Sequence, residues 1–139
     1  MQRGSDSPTV LIVDDDPALR DGLSALLADR GYRTAAFPTG AAALEYARRR
    51  GQPPAAAAVV DIHLPDTDGL TLSRQLREHL GPAAPIIVLS GDTSKGVLDA
   101  LPGAGATCFF SKCVHVERLL DLLADLLPPA AAANPPGTG

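Results

Sequence analysis

Thr9-Val10-Leu11-Ile12-Val13-Asp14-Asp15-Asp16-Pro17 is the stretch on which the fold turns. Its first five residues form an apolar run of strand length with no polar alternation, the pattern of a strand covered on both faces, and such strands belong to parallel sheets. The run breaks off in three carboxylates. Asp16, directly before Pro17, reads as a helix N-cap with proline at the first helical position, so a helix follows at once. Ala18 to Arg30 carries Leu19, Gly22, Leu23, Leu26 and Leu27 at three- and four-residue spacing, and Gly31 follows as a stop.

The same alternation continues down the chain. Tyr32 to Phe37 reads as a second strand and Thr39 to Arg50 as an Ala-rich helix closed by Gly51 and Pro53-Pro54. Ala56 to Val60 is a third strand leading into Asp61, and the Leu70, Leu72, Leu76, Leu80 series marks a third helix ended by Gly81-Pro82. Pro85 to Leu89 is a fourth strand. A weak helix is expected over Thr93 to Leu101, a fifth strand over Ala106 to Phe110 and a strong helix over His115 to Leu127. Five strand-helix alternations predict an α/β fold with a parallel sheet and helices on both faces.

Composition narrows the function classes. The chain has 139 residues, enough for one domain. It is 45% hydrophobic, but 23 of its residues are Ala and none is Trp, so Leu, Val and Ile must supply the core. A net charge of −4 argues against a nucleic-acid-binding domain working through a basic face. No apolar run reaches membrane-spanning length. Met1 to Thr9 is polar and lacks the apolar segment of a secretory signal. Cys108 and Cys113, with only His115 near them, cannot close a tetrahedral zinc site, and the cytoplasm is the expected setting. Residues 1–8 are expected to be a disordered segment, 9–127 the folded domain, and 128–139 a Pro/Ala-rich tail or linker stub.

In a doubly wound sheet, ligand chemistry gathers at the carboxyl ends of the strands. Strand one ends in Asp14-Asp15-Asp16, strand three in Asp61, strand four in Ser90 and strand five in Ser111-Lys112. Carboxylates brought together repel one another, and a hard divalent cation with oxygen ligands relieves that repulsion. Opposite them, a hydroxyl and an ammonium group suit phosphoryl oxygens. The pattern predicts a phosphoryl-transfer site with one carboxylate as nucleophile. Asp68, before Gly69, reads as a cap or turn residue instead.

Taken in order, four strings resemble the receiver domain of two-component response regulators. They are Val10-Leu11-Ile12-Val13-Asp14-Asp15-Asp16-Pro17, Val59-Val60-Asp61-Ile62-His63-Leu64-Pro65 with Asp68-Gly69, Pro85-Ile86-Ile87-Val88-Leu89-Ser90-Gly91, and Gly105-Ala106 with Phe109-Phe110-Ser111-Lys112. The resemblance covers roughly residues 9 to 127. It implies a flavodoxin-like, doubly wound five-stranded parallel sheet in the order 2-1-3-4-5 with five flanking helices. It also implies that Asp61 accepts a phosphoryl group from a phosphohistidine of a sensor histidine kinase or phosphotransfer protein.

By the same resemblance, Asp15 would ligate Mg²⁺ (or Mn²⁺) directly and Asp14 through water. Asp61 and the backbone carbonyl of His63 would complete the protein's share of the ligands. Ser90 and Lys112 would grip the phosphoryl oxygens, and Phe109 falls at the family's aromatic switch position. His63 and Asp92 fall where the family varies its residues to set the lifetime of the acyl phosphate. Partners would be the kinase or phosphotransfer protein and an unidentified effector, with no nucleic acid and no membrane. A homodimer could form through the face built by the Thr93–Leu101 helix, the fifth strand and the last helix.

One position departs from the family. Cys113 stands where a proline, in a cis peptide, usually follows the lysine. A cis bond before a non-proline residue costs about 3–4 kcal/mol, so a trans bond and a less rigidly aimed Lys112 are expected. That departure keeps open a second reading, a receiver-like interaction module that works without phosphorylation. A third is an enzyme, since Asp66-Thr67-Asp68-Gly69-Leu70-Thr71 loosely resembles the DxDG string of haloacid-dehalogenase-like phosphatases. That family needs its string at the end of a buried strand, whereas Leu64-Pro65 puts this one in a loop.

Overall fold

Five strands, β1 (Thr9–Val13), β2 (Arg33–Phe37), β3 (Ala55–Asp61), β4 (Ile86–Ser90) and β5 (Cys108–Ser111), pair in parallel in the order β2-β1-β3-β4-β5. The structure, a computed structural model, describes residues 7–49, 55–91, 105–106, 108–111 and 116–129. Four helices lie among the described residues: α1 (Pro17–Asp29), α2 (Gly40–Arg48), α3 (Gly69–Leu80) and α4 (Val116–Leu126). The fifth helix expected over 93–101 falls outside them.

β1 and β4 are buried along their whole length, as continuous apolar runs require. The pleat sends alternate residues to opposite faces, so the three inner strands, β1, β3 and β4, each feed two cores. Val10, Ile12, Val59, Ile87 and Leu89 pack with Leu23 and Leu27 of α1 and with Leu119, Leu120 and Leu123 of α4. Leu11, Val13, Ala58, Val60 and Ile86 pack with Ala43 of α2 and with Leu72 and Leu76 of α3. Each fully buried Leu contributes roughly 1.5–3 kcal/mol of transfer free energy. By comparison, the exposed Arg30–Asp121 pair between α1 and α4, at 3.1 Å, adds about 0–1 kcal/mol.

The element ends follow local chemistry. Asp16 caps α1 by accepting the Ala18 N–H, and Pro17 stands at the first helical position. α2 begins at Gly40 because Thr39 is its extended N-cap, accepting the Ala42 N–H at 3.2 Å. It ends at Arg48, before the extended Arg49. Tyr32 precedes β2 instead of opening it, and its hydroxyl donates to the Leu127 carbonyl at 2.6 Å. Burial pushes the Tyr32 phenol above its usual range, against the lowering effect of Arg30. β3 runs through Asp61 and β4 through Ser90, one residue beyond the apolar runs in each case. Polar residues thereby enter the sheet at its carboxyl edge.

Candidate functional site

Asp14 lies one residue past β1 and stays in register with the sheet through its N–H, which donates to the Phe37 carbonyl at 3.1 Å. Its Oδ1 accepts the Asp16 N–H at 2.9 Å. Arg20, from the first turns of α1, donates through Nη1 to the Asp14 carbonyl at 2.8 Å. Backbone and side chain are thus oriented together, and the residue is only 1% exposed. Asp61, the last residue of β3, is 4% exposed, and its Oδ1 accepts the His63 N–H at 3.3 Å. Asp15 is exposed. One carboxylate oxygen from each of Asp14, Asp15 and Asp61 lies within 4.8 Å of the others.

The loop after Asp61 is built to hold that end of the strand still. Ile62 N–H donates to the Leu89 carbonyl at 2.9 Å, which extends the β3–β4 ladder past Asp61. Gly69 N–H returns to the Ile62 carbonyl at 2.7 Å, and Leu64 N–H donates to the Thr67 carbonyl at 3.2 Å. Asp68 caps α3, accepting from the Thr71 N–H at 2.8 Å and the Thr71 hydroxyl at 2.9 Å. Burial raises the Asp68 carboxyl. The Thr71 and Leu70 hydrogen bonds and the Arg74 charge outweigh that and leave it below the usual carboxylate range. A Cβ on Gly69 would collide with the Asp61 carbonyl oxygen and stand 2.7 Å from Ile62 Cα. Only glycine lets α3 start this close to the strand.

Ser90 ends β4, fully buried, opposite Ser111 of β5, while Asp61 pairs with Leu89. Both residues therefore stand at one carboxyl edge. Phe109 is half-buried inside β5, opposite Val88. The His63 side chain is exposed, and its backbone N–H faces the Asp61 carboxylate. Lys112, Cys113 and Asp92, and with them the expected trans bond at Lys112-Cys113, lie outside the described residues.

Three participants have roles that the sequence reading did not assign: Arg20, Gly69, quoted there as part of a receiver string, and Asp66, quoted as part of the phosphatase-like string. Asp66 accepts the N–H groups of Gly40 and Ala41 at the start of α2. The phosphatase-like string is confirmed as loop and helix cap, with its two carboxylates serving two different helices. Of the three, only Gly69 had a local signal for its role, its place directly after a capping Asp.

The trio of carboxylates fits a metal ion. All three donors are hard oxygens, and two are held nearly out of solvent by the ends of adjacent strands. No helix among the described residues is long and apolar enough to cross a membrane.

A doubly wound, flavodoxin-like α/β domain with an acidic cluster at the carboxyl edge of its sheet is the class of protein that this fold and site define. Residues 10–124 match the family model of the response regulator receiver domain, and the chain belongs to that family. The photosynthetic apparatus regulatory protein RegA of Rhodovulum sulfidophilum is 36% identical over 131 residues, covering 94% of this chain and 68% of that one. The sensory/regulatory protein RpfC of Xanthomonas campestris is 32% identical over 123 residues, 86% of this chain and 16% of its own length. Among solved structures, a CheY-like response regulator receiver domain protein from Methanospirillum hungatei superposes with a TM-score of 0.77 at 28% identity. That match covers 85% of this chain and 91% of that one. The chain spans between 16% and 68% of the length of such curated relatives.

Proposed function

We propose that Asp61 accepts a phosphoryl group from a phosphohistidine of a sensor histidine kinase or phosphotransfer protein, and that the acyl phosphate switches binding to an effector in the cytoplasm. The observation that carries this reading is the approach of the Asp14, Asp15 and Asp61 carboxylate oxygens to within 4.8 Å at the carboxyl edge. An Asp61 oxygen attacks phosphorus in line as the phosphorus–nitrogen bond breaks, and the departing imidazole keeps the electron pair. Asp15, Asp14 through water, Asp61 and the His63 carbonyl are the groups assigned to Mg²⁺ or Mn²⁺. Bound there, the cation neutralises charge that builds on the phosphoryl oxygens.

Ser90 and Lys112 are assigned to those same oxygens, Phe109 to the switch, and His63 and Asp92 to the lifetime of the acyl phosphate. Hydrolysis by water then returns the Asp61 carboxylate and inorganic phosphate, so the domain catalyses its own phosphorylation and dephosphorylation. β5 and α4 are the described elements of the surface assigned to self-association.

Mass spectrometry after incubation with Mg²⁺ and acetyl phosphate tests the assignment. One phosphoryl group, located on Asp61 and absent from Asp61→Asn, is the expected result. No label on the wild-type chain would move the reading to an interaction module that works without phosphorylation. Label persisting in Asp61→Asn would refute the nucleophile.

A further inference from the structure

The loop that follows Asp61 is tied to a third element of the fold by a carboxylate that the phosphoryl chemistry does not use. Asp66 Oδ1 accepts the Gly40 N–H and Oδ2 accepts the Ala41 N–H, each at 2.9 Å. A helix leaves its first N–H groups without partners within the helix, and one side-chain cap satisfies only some of them. Thr39 takes the Ala42 N–H. Asp66 takes the two before it, bridging 25 to 26 residues of sequence with a fork of two bonds.

Two further observations show that the contact is built. A Cβ on Gly40 would stand 2.6 Å from Thr67 Cγ2, so the Thr67 side chain of the loop packs directly over the start of α2. The two α2 N–H groups also hold the Asp66 carboxyl below the usual carboxylate range, although the side chain is exposed.

Apart from the Ile62 bond to Leu89, which joins the loop's first residue to β4, the other ties of this loop among the described residues are local. Leu64 bonds to Thr67, Gly69 to Ile62, and Asp68 to Thr71 of its own helix. They fix the shape of the loop, and Asp66 fixes where that shape sits relative to α2. At the head of the same loop, His63 presents its N–H to Asp61 Oδ1.

Resting on the proposed role of Asp61 and of the His63 carbonyl, we propose that Asp66 is a positioning residue for the phosphoacceptor. By fastening the crown of the β3–α3 loop to the start of α2, it holds the His63 backbone in place beside Asp61. Metal binding at the acidic edge then depends on a carboxylate that is not a ligand.

The test compares Asp66→Asn with Thr39→Ala in the full chain, using Mg²⁺ alone as titrant in calorimetry and acetyl phosphate as phosphodonor. Asn offers one acceptor oxygen and turns an NH₂ toward the second N–H. Thr39→Ala removes the local cap of the same helix and leaves the loop tied. Asp66→Asn is expected to weaken Mg²⁺ binding about threefold to tenfold, at or below the low end of the loss seen when a direct partner of a metal ligand is removed, because Asp66 bonds to no ligand and acts through the loop. It should slow phosphorylation mainly at sub-saturating Mg²⁺. Thr39→Ala should lower the melting temperature as much yet bind Mg²⁺ within about twofold of wild type, since it leaves the Asp66 fork to Gly40 and Ala41 in place.

Asp66→Glu, which keeps both acceptor oxygens, should bind Mg²⁺ more tightly than Asp66→Asn. Wild-type affinity in Asp66→Asn, equal losses in Asp66→Asn and Thr39→Ala, or the reverse order of Glu and Asn would each overturn the proposal. A wild-type chain that neither binds Mg²⁺ nor takes the label would instead overturn the phosphoacceptor reading beneath it.

Discussion

The same substitution, glycine to alanine, should have opposite effects at Gly69 and at Gly22. At Gly69 the added Cβ would stand 2.7 Å from Ile62 Cα and closer still to the Asp61 carbonyl oxygen. Carbon atoms rest at about 3.5–4.0 Å, so backbone must move by about 1 Å, and no side-chain rotation can absorb it. Overpacking of this kind costs about 1–3 kcal/mol. The Gly69 N–H to Ile62 carbonyl bond, at 2.7 Å, is stretched by the same movement, at a cost of about 1 kcal/mol. Against this, alanine restricts the unfolded chain and returns about 0.4–1 kcal/mol. Gly69→Ala is therefore expected to destabilise by about 1–3 kcal/mol. It should also displace Asp61 and slow its phosphorylation. Gly22 lies inside α1 with nothing within 4 Å of its Cβ position, so Gly22→Ala should stabilise by about 0.5–1 kcal/mol. Urea titrations of both variants, analysed with a common slope, read the two signs directly. Gly69→Ala as stable as wild type would refute the close-approach argument, and a destabilising Gly22→Ala would refute the account of α1.

Three other outcomes follow from the charges and caps. At 100 times its dissociation constant, Mg²⁺ should stabilise the wild type by about 2.7 kcal/mol, or on the order of 10 °C in melting temperature. Asp61→Asn should shrink that shift in differential scanning calorimetry, and an undiminished shift would place the metal elsewhere. Asp66 and Asp68 both titrate below the usual range, so the unfolded chain takes up protons first on acidification. Their stabilisation is complete above about pH 4 and is lost as pH falls toward the folded values. The Asp66→Asn, Asp68→Asn double variant should give a shallower acid limb of urea midpoint against pH, and an unchanged limb would count against the caps. Arg77 donates to the carbonyls of Gly81, Ala84 and Gly105 at 2.6–3.1 Å. Arg77→Ala should cost about 2–4 kcal/mol in urea unfolding, whereas a cost under about 0.5 kcal/mol would match an ordinary surface change.

How much of this was legible in the sequence depends on the distance over which each interaction acts. Continuous apolar runs make β1 and β4 readable, because burial on both faces leaves polar residues only at the strand ends, Thr9 and Ser90. Asp16 and Asp68 are readable as caps because the N–H groups that donate to them lie two and three residues away. Asp14, Asp15 and Asp61 are readable together, since acidic residues at the ends of two strands call for a shared cation whatever the details of packing. The strand order came only with the family resemblance, because alternation alone leaves several parallel orders open. Asp66 was read as part of a phosphatase-like string because its partners are backbone N–H groups 25 and 26 residues away. Arg20 and Arg77 escaped for the same reason, their targets being carbonyl oxygens that every residue carries. A charged side chain that pairs with another side chain leaves a complementary residue in the sequence. One that pairs with backbone leaves none, and its role is visible only once the helix ends and strand ends are placed in space.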